Sequence, residues 1–503
     1  MPDSLAQALR HAAAAVPRTT AVVDGDTRLT YAELDERARR AATLLAGLGV
    51  REGDVVAWQL PNWWEAVVLH HAVIALGAVS NPVMPILRER ELTFMLRQSG
   101  ARLLVVPETF RRFDHAGLAA QLRARVETLE HVLVVRPEAP RDDDFGALLR
   151  AAEPSTAAPG AADPVLLLYT SGTESVPKGA LHSHATLTAE ISSIRDLYAL
   201  DGGDVVFMPS PVGHITGVLY ALHLPVLLRS ACVLQDVWEP GRALELIERE
   251  RCSFQVGATP FLQALTDHED LDQRDIGSLK VFVCGGADVA PGLVRRATER
   301  LGCCVVRTYG STEMPTVTAG RLDDPPERRA GTDGRAIGTA EVRIVDGEVQ
   351  ARGPELFLGY LDPELTRAAI TGDGWFRTGD LGTLDADGHL TIRGRAKDII
   401  IRGGENISVK EVEDVLLEHP AISDVAVVAM PDERVGEKGC AFAVLADGAA
   451  LDLPDLIAHL DGLGIARQKF PERLEVVDEL PRTASGKVKK FELRKRAAAL
   501  PVA

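Results

Sequence analysis

The sequence predicts an α/β protein with a large N-terminal domain of mixed and parallel sheets layered with helices, a β-subdomain attached to it, and a small α+β C-terminal domain. Three observations predict this. Short Val/Leu/Ile-rich runs alternate with helix-period segments, the mark of buried, substantially parallel strands. A β-rich stretch with Asp-Gly turn signals follows a proline and charge-rich break. Beyond "GRAKDIIIRGGENIS" the pattern changes to a smaller mixed unit, so the division falls near Arg395 to Lys397, giving domains of 1–394 and 395–503. A chain of 503 residues is in any case too long for one core.

In chain order, "ARLLVV", "HVLVV", "VLLLY", "DVVFMP", "LKVFVCGG" and "CCVVRTYG" read as strands, each beside a helical stretch. "ATLTAEISSIRDLYAL" sets Leu187, Ile191, Ile194 and Leu197 or Tyr198 on one helix face, so the segment after Tyr169 reads as a strand-to-helix loop. "GTAEVRIVDGEVQARG" and "GTLDADGHLTIRG" form the β-rich region. The small unit holds helices at "SVKEVEDVLLEHP" and "LPDLIAHLDGLG", with strands at "SDVAVVAMP" and "GCAFAVLA".

Composition excludes several classes. With 55 Lys+Arg against 72 Asp+Glu the net charge is −17, which argues against a general nucleic-acid or anionic-membrane binder and makes any phosphate site local. The charge-free run 205–228 is broken by three prolines, two histidines and two glycines, so it reads as buried core and not as a membrane span. No signal peptide is evident at the start, which points to the cytoplasm. Six cysteines without C-x-x-C spacing read as reduced and mostly buried, with no structural zinc.

Four motifs carry chemistry. "TSGTESVPKG" offers the hydroxyls of Thr170, Ser171 and Thr173, backbone N–H groups around Gly172 and Gly179, and the Lys178 cation, a set that can wrap phosphate oxygens. It is not a Walker A loop, since Lys178 follows Pro177 and precedes Gly179, and alone it is as readily a surface turn. Glu174 sits inside it, and there a carboxylate must point outward, pair with Lys178 or meet phosphate through magnesium. "YGSTE" packs the Tyr309 ring, Gly310, Ser311, Thr312 and Glu313 together; the ring can stack on a base and Glu313 can hold magnesium, although a capped helix start is the commoner meaning. In "GWFRTGDLG", Asp380 reads as a glycine-flanked turn carboxylate that can accept two ribose hydroxyls. "LPRTASGKVKK" places Lys487 on a Ser-Gly-Lys tip.

In this order and at these intervals, the motifs resemble the AMP-forming adenylating superfamily of acyl-CoA synthetases, adenylation domains and luciferases. The likeness runs from "AVVDGDTRLTYAEL" to "LPRTASGKVKKFELR" and is greatest to bacterial cyclohexanecarboxylate-type and medium-chain acyl-CoA ligases. The Glu174-Ser175 pair, where many relatives have Thr-Gly, belongs with that branch.

The resemblance implies ATP, Mg2+ and coenzyme A, a small carboxylic acid as substrate, and a C-terminal domain that moves. Thr170 to Lys178 would close over the triphosphate, Gly285, Gly286 and Ala287 would frame the adenine, and Tyr309 would stack on it. Gly310, Ser311 and Thr312 would line the nucleotide, with Thr312 at the α-phosphate and Glu313 and Thr173 on the metal. Asp380 and Arg395 would take the ribose, and Lys487 would bridge the substrate carboxylate and the α-phosphate. Lys397 would be the hinge, and Arg402, Gly403 and Gly404 would line the CoA channel.

His214, Val218, Ala258, Gly310 and Met314 are the acyl-pocket candidates, apolar or small as suits an uncharged alicyclic, aryl or medium-chain acid. His214 is as readily a satisfied core histidine. The expected reaction is ATP-dependent ligation of the acid to CoA through an acyl adenylate. Two other readings remain open: a stand-alone adenylating enzyme that passes the acyl group to a carrier protein in trans or adenylates nitrite in amine diazotisation, and a nucleotide-binding regulator without catalysis. Oligomeric state is open.

Overall fold

The computed structural model describes residues 4–170, 177–286, 289–395, 398–402, 405–432, 435–463, 467–483 and 486–500. Two large sheets dominate residues 4–336. One has nine strands and the other seven. In the nine-stranded sheet, Thr20–Asp24, Ala231–Leu234, Val205–Met208, Phe254–Gly257, Val281–Cys284 and Cys304–Tyr309 lie side by side and parallel. In the seven-stranded sheet, His131–Val135, Leu103–Pro107, Val55–Trp58, Val79–Pro82 and Leu166–Thr170 do the same.

Parallel strands need cover on both faces, which is why these runs are apolar at successive positions and not at alternate ones. Phe254–Gly257 and Val281–Cys284 are buried at every residue. Helix Trp64–Ala75 is buried almost all round, and one hydrophobic cluster joins its Ala66 to Ile74 face with Val22, Val206 and Met208 of one sheet and Val56, Trp58 and Leu166 of the other. A helix apolar on every side is what the space between two sheets requires.

The segment after Tyr169 is not the strand-to-helix loop that the sequence predicts. Leu166–Thr170 is followed by a second strand, Lys178–His182, antiparallel to it, and only then by helix His184–Leu197, capped by Ser183. The intervening strand escapes pattern reading because it has five residues and starts on Lys-Gly. Gly179 is demanded by packing: a Cβ there would lie 2.9 Å from Leu167 Cδ1 and from Leu361 Cδ1.

The β-subdomain is a four-stranded antiparallel sheet, Glu341–Val345, Glu348–Arg352, Phe376–Leu384 and Leu390–Arg395. Its first hairpin turns on Asp346 and Gly347, both with positive φ (50° and 82°), the conformation that Asp-Gly supplies in a two-residue turn. The small C-terminal domain has five strands between Ile399 and Val476, with helices Val409–Leu416, Leu453–Gly462 and Lys490–Ala498 packed on them.

The run 205–228 is core, as expected. It is a strand, a short helix, a π-turn at Val218–His223 and helix Leu224–Leu228. Among the described residues no helix is long and apolar enough to cross a membrane. All six cysteines are free, five of them buried and Cys304 half-buried.

Candidate active site

Four adjacent parallel strands of the nine-stranded sheet deliver the predicted residues to one edge. Met208, Gly257, Cys284 and Tyr309 end these strands, so His214, Ala258, Gly285–Gly286 and Gly310–Glu313 all follow carboxyl ends on the same side of the sheet. That edge is where open α/β sheets bind ligands. Two of its glycines are sterically required. A Cβ on Gly285 would lie 2.6 Å from the Thr308 carbonyl oxygen, and one on Gly310 would lie 2.0 Å from that of Pro315.

Tyr309 closes the strand Cys304–Tyr309 and its hydroxyl donates to Asp380 Oδ2 at 2.7 Å. Arg395 Nε lies 2.9 Å from the other carboxylate oxygen, Oδ1. Burial, then the Asp380 charge, hold the Tyr309 phenol well above its ordinary range, so it stays a neutral donor. Asp380 does not sit in the turn the sequence suggests. It lies within strand Phe376–Leu384, opposite Arg395, where Gly379 (φ 71°) and a register shift against Glu348–Arg352 form a bulge. A bulge re-aims a side chain without ending the strand, and here it turns Asp380 toward Tyr309.

The second group surrounds Glu313. "YGSTE" is a tight turn and not a helix start: Ser311 N–H donates to the Met314 carbonyl at 2.9 Å. Tyr360 donates its hydroxyl to Glu313 Oε1 at 2.6 Å, and Lys178 Nζ stands 5.6 Å from the Tyr360 ring centre. The strand register sets Lys178 directly opposite Thr170. His182 is fully buried and pushed down to about 4 by that burial. Its Nε2–H donates to the Thr312 carbonyl at 2.7 Å while Nδ1 accepts from the Thr186 hydroxyl at 3.1 Å, which pins the Thr312 turn to the helix start. Tyr360 and His182 are not evident from the sequence motifs; the apolar surroundings of each give no cue.

The third group joins the domains. His214 is half-buried at the start of helix Ile215–Gly217, with Nδ1 accepting the Thr216 N–H at 3.3 Å. Burial, then the nearby Lys487 cation, push its imidazole down to about 4. Lys487 belongs to the small domain, so Gly486 and Lys487 approach the large domain; a Cβ on Gly486 would stand 3.9 Å from Pro260 Cγ. Of the acyl-pocket candidates, Ala258 and Gly310 are half-buried like His214, whereas Val218 and Met314 are fully buried.

Arg402 is engaged inside the small domain. Its Nε donates to Glu472 Oε1 at 2.7 Å, and no contact with the nucleotide group appears among the described residues. Ser171, Gly172, Thr173, Glu174, Ala287, Lys397, Gly403 and Gly404 lie outside the described residues. Among the described residues, Asp385, Asp387 and His389 also cluster, but Arg328 already bridges the two carboxylates.

Comparison with known proteins adds to this geometry. The profile described as "AMP-binding enzyme" matches residues 9–361, and that described as "AMP-binding enzyme C-terminal domain" matches 411–487. The chain is similar to the medium-chain fatty-acid–CoA ligase of Escherichia coli (strain K12), 38% identical over 98% of this chain and 90% of the other. It is also similar to the 2-hydroxy-7-methoxy-5-methyl-1-naphthoate–CoA ligase of Streptomyces carzinostaticus, 36% identical over 98% and 93%. Among solved structures it is similar to the anthranilate CoA ligase AuaEII in complex with anthranoyl-AMP, with TM-score 0.90 and 27% identity over 98% and 97% of the two chains.

Proposed function

We propose, for a chain that belongs to the AMP-binding enzyme family, the reaction of an AMP-forming acyl-CoA synthetase, with the residue roles that follow. A carboxylate attacks the α-phosphorus of ATP, pyrophosphate leaves, and an acyl adenylate forms. The thiol of CoA then attacks the acyl carbonyl and AMP leaves. The first step needs no base, since the acid is already ionised at neutral pH. It needs positioning and charge neutralisation.

The observation that carries this reading is the strand-end cluster in which the Tyr309 hydroxyl and the Arg395 guanidinium hold the two oxygens of Asp380, with the Lys487 cation of the small domain near enough to act on the His214 imidazole. Lys487 bridges the attacking carboxylate and the α-phosphate. Tyr309 stacks on the adenine, framed by Gly285, Gly286 and Ala287, while Asp380 and Arg395 take the ribose. Lys178 and the hydroxyls of Thr170, Ser171 and Thr173 gather the phosphates, with Gly310, Ser311 and Thr312 beneath them. Glu313, with one oxygen held by Tyr360, suits Mg2+ together with Thr173; the ion would neutralise the phosphates.

For the second step the small domain, 395–503, turns about Lys397, withdrawing Lys487 and bringing Arg402, Gly403 and Gly404 to the CoA path. Arg402 must then exchange its Glu472 partner for a phosphate or the channel wall. The pocket formed by His214, Val218, Ala258, Gly310 and Met314 suits an uncharged alicyclic, aryl or medium-chain acid. The setting is the cytoplasm, where ATP and CoA are supplied and buried free cysteines stay reduced.

The test is ATP turnover across a panel of such acids, with mass detection of the product. AMP release that requires both acid and CoA, with an acyl thioester formed, is expected. AMP formation that ignores CoA would transfer the reading to another acceptor, such as a carrier protein, and no turnover with any acid would leave only a nucleotide-binding regulator.

A further inference from the structure

The π-turn Val218–His223 exists because Pro225 has no N–H to return to the Ala221 carbonyl, so the Leu224 N–H reaches back to Leu219 instead. Such a turn leaves backbone groups to be held from outside. From helix Trp64–Ala75, His71 Nε2 lies 3.0 Å from the Leu222 carbonyl and His70 Nε2 lies 3.0 Å from His223 Nε2. From helix His184–Leu197 comes Glu190, a carboxyl with 0% exposure. Its Oε1 accepts the Tyr220 hydroxyl at 3.0 Å and its Oε2 accepts the Thr316 N–H at 3.2 Å, while the Tyr220 and Thr316 hydroxyls are 3.4 Å apart.

One side chain therefore spans two backbone segments. Tyr220 is two residues beyond Val218, and Thr316 is two residues beyond Met314, the fully buried pair in the proposed acyl pocket. The Met314 side of the span also closes on itself, because Gly310 rests on the Pro315 carbonyl. Neither Tyr309, Asp380 nor Arg395 touches Glu190 among the described contacts.

We propose that Glu190 is a positioning residue for acid selectivity, clamping the π-turn to the Tyr309–Thr316 segment and so setting the spacing between Val218 and Met314. The inference rests on the acyl-CoA synthetase reading. It acts through Tyr220 and Thr316, with no contact to the substrate. Burial pushes the Glu190 carboxyl up to about 8, so at neutral pH it holds a proton, and Tyr198, Tyr220 and Glu355 are the titratable groups that face it.

The test uses the full chain with a series of straight-chain and aryl acids, ATP and CoA, fitting KM and kcat for each. Glu190→Ala is expected to raise the KM of the preferred acid about tenfold, to alter the ranking of chain lengths, and to leave the KM of ATP within twofold. Glu190→Gln is expected to restore the wild-type ranking, since its carbonyl can accept the Thr316 N–H and its amide can donate to Tyr220. Tyr220→Phe, which keeps the ring packing, is expected to raise the acid KM about threefold in the same direction. Equal losses for acid and ATP, or an acid ranking unchanged in Glu190→Ala, would overturn the proposal. If that variant does not fold, an acid KM unchanged in Tyr220→Phe overturns it. Absence of turnover in the wild type with every acid would instead strike the underlying functional reading.

Discussion

Around the strand ends and the β-subdomain sheet, Tyr309, Asp380 and Arg395 hold one another, Tyr360 holds Glu313, and His182 holds the Thr312 backbone. Lys487 is braced within its own domain: its N–H meets the Thr483 hydroxyl at 3.1 Å, and the Thr483 N–H meets the Lys487 carbonyl at 2.7 Å. Its side chain is exposed, while Asp380 and Glu313 are buried. The contrast is between groups whose partners are fixed before a ligand arrives and a cation carried on the small domain, which the proposed turn about Lys397 would withdraw. A preorganised donor set suits a nucleotide that stays through both steps. A removable lysine suits a charge needed in only one.

The largest effect should come from the removable side. Lys487→Ala is expected to cut acyl-adenylate formation about 10²–10³-fold, the loss usual for one transition-state charge partner. Thioester formation from supplied acyl adenylate and CoA should stay within a fewfold of wild type. Single-turnover assays of the two half-reactions check this, and equal losses in both would erase the proposed division of labour. Next comes the fixed side. Asp380→Ala leaves Arg395 without its carboxylate and Tyr309 without its acceptor; breaking a fully buried pair costs roughly 3–5 kcal/mol, and Arg395, partly solvated, should bring this to about 2. That cost falls on stability; the KM of ATP should rise about 10- to 100-fold, from losing hydrogen bonds between the ribose and a charged carboxylate worth roughly 1.5–3 kcal/mol. Both half-reactions should suffer alike, the reverse of the lysine variant.

Tyr360→Phe is a smaller probe of the same side. It removes one hydrogen bond to the Glu313 carboxylate, worth about 1.5 kcal/mol for a charged acceptor, and is expected to weaken magnesium-dependent ATP use roughly tenfold. Titration of turnover against Mg2+ at fixed ATP should show a higher Mg2+ requirement, while KM for the acid stays unchanged.

How much of this was legible in the chain depends on how far apart partners lie. Buried parallel strands announce themselves because both faces must be apolar, and the Asp346-Gly347 turn because its backbone demands positive φ. The motif residues are gathered by a rule that needs only strand order. What the pattern could not supply is contact across long separations: Tyr360 with Glu313 is 47 residues apart, Glu190 with Thr316 is 126, and His182 with Thr312 is 130. Nor does it supply local geometry that depends on a neighbour. The strand Lys178–His182 exists through pairing with Leu166–Thr170, and the bulge that aims Asp380 exists through its register against Glu348–Arg352.

The smallest effect is also the most direct test that the two sides face each other. His214 is pushed down to about 4, first by burial and then by the Lys487 cation, and both favour the neutral ring. In the unfolded chain the ring titrates near 6.5, so between about 6.5 and 4 the unfolded state binds the extra proton. The His214 contribution is therefore intact above about 6.5 and is lost as pH falls toward 4. Adenylation should accordingly show no break near neutrality from this residue. In Lys487→Ala one of the two causes is gone, so the His214 titration followed by NMR should move upward while staying below its ordinary value, because burial persists. An unmoved titration would mean that the tip does not reach His214 in solution, and the contrast between a fixed and a delivered side would then rest on the small domain's other pose.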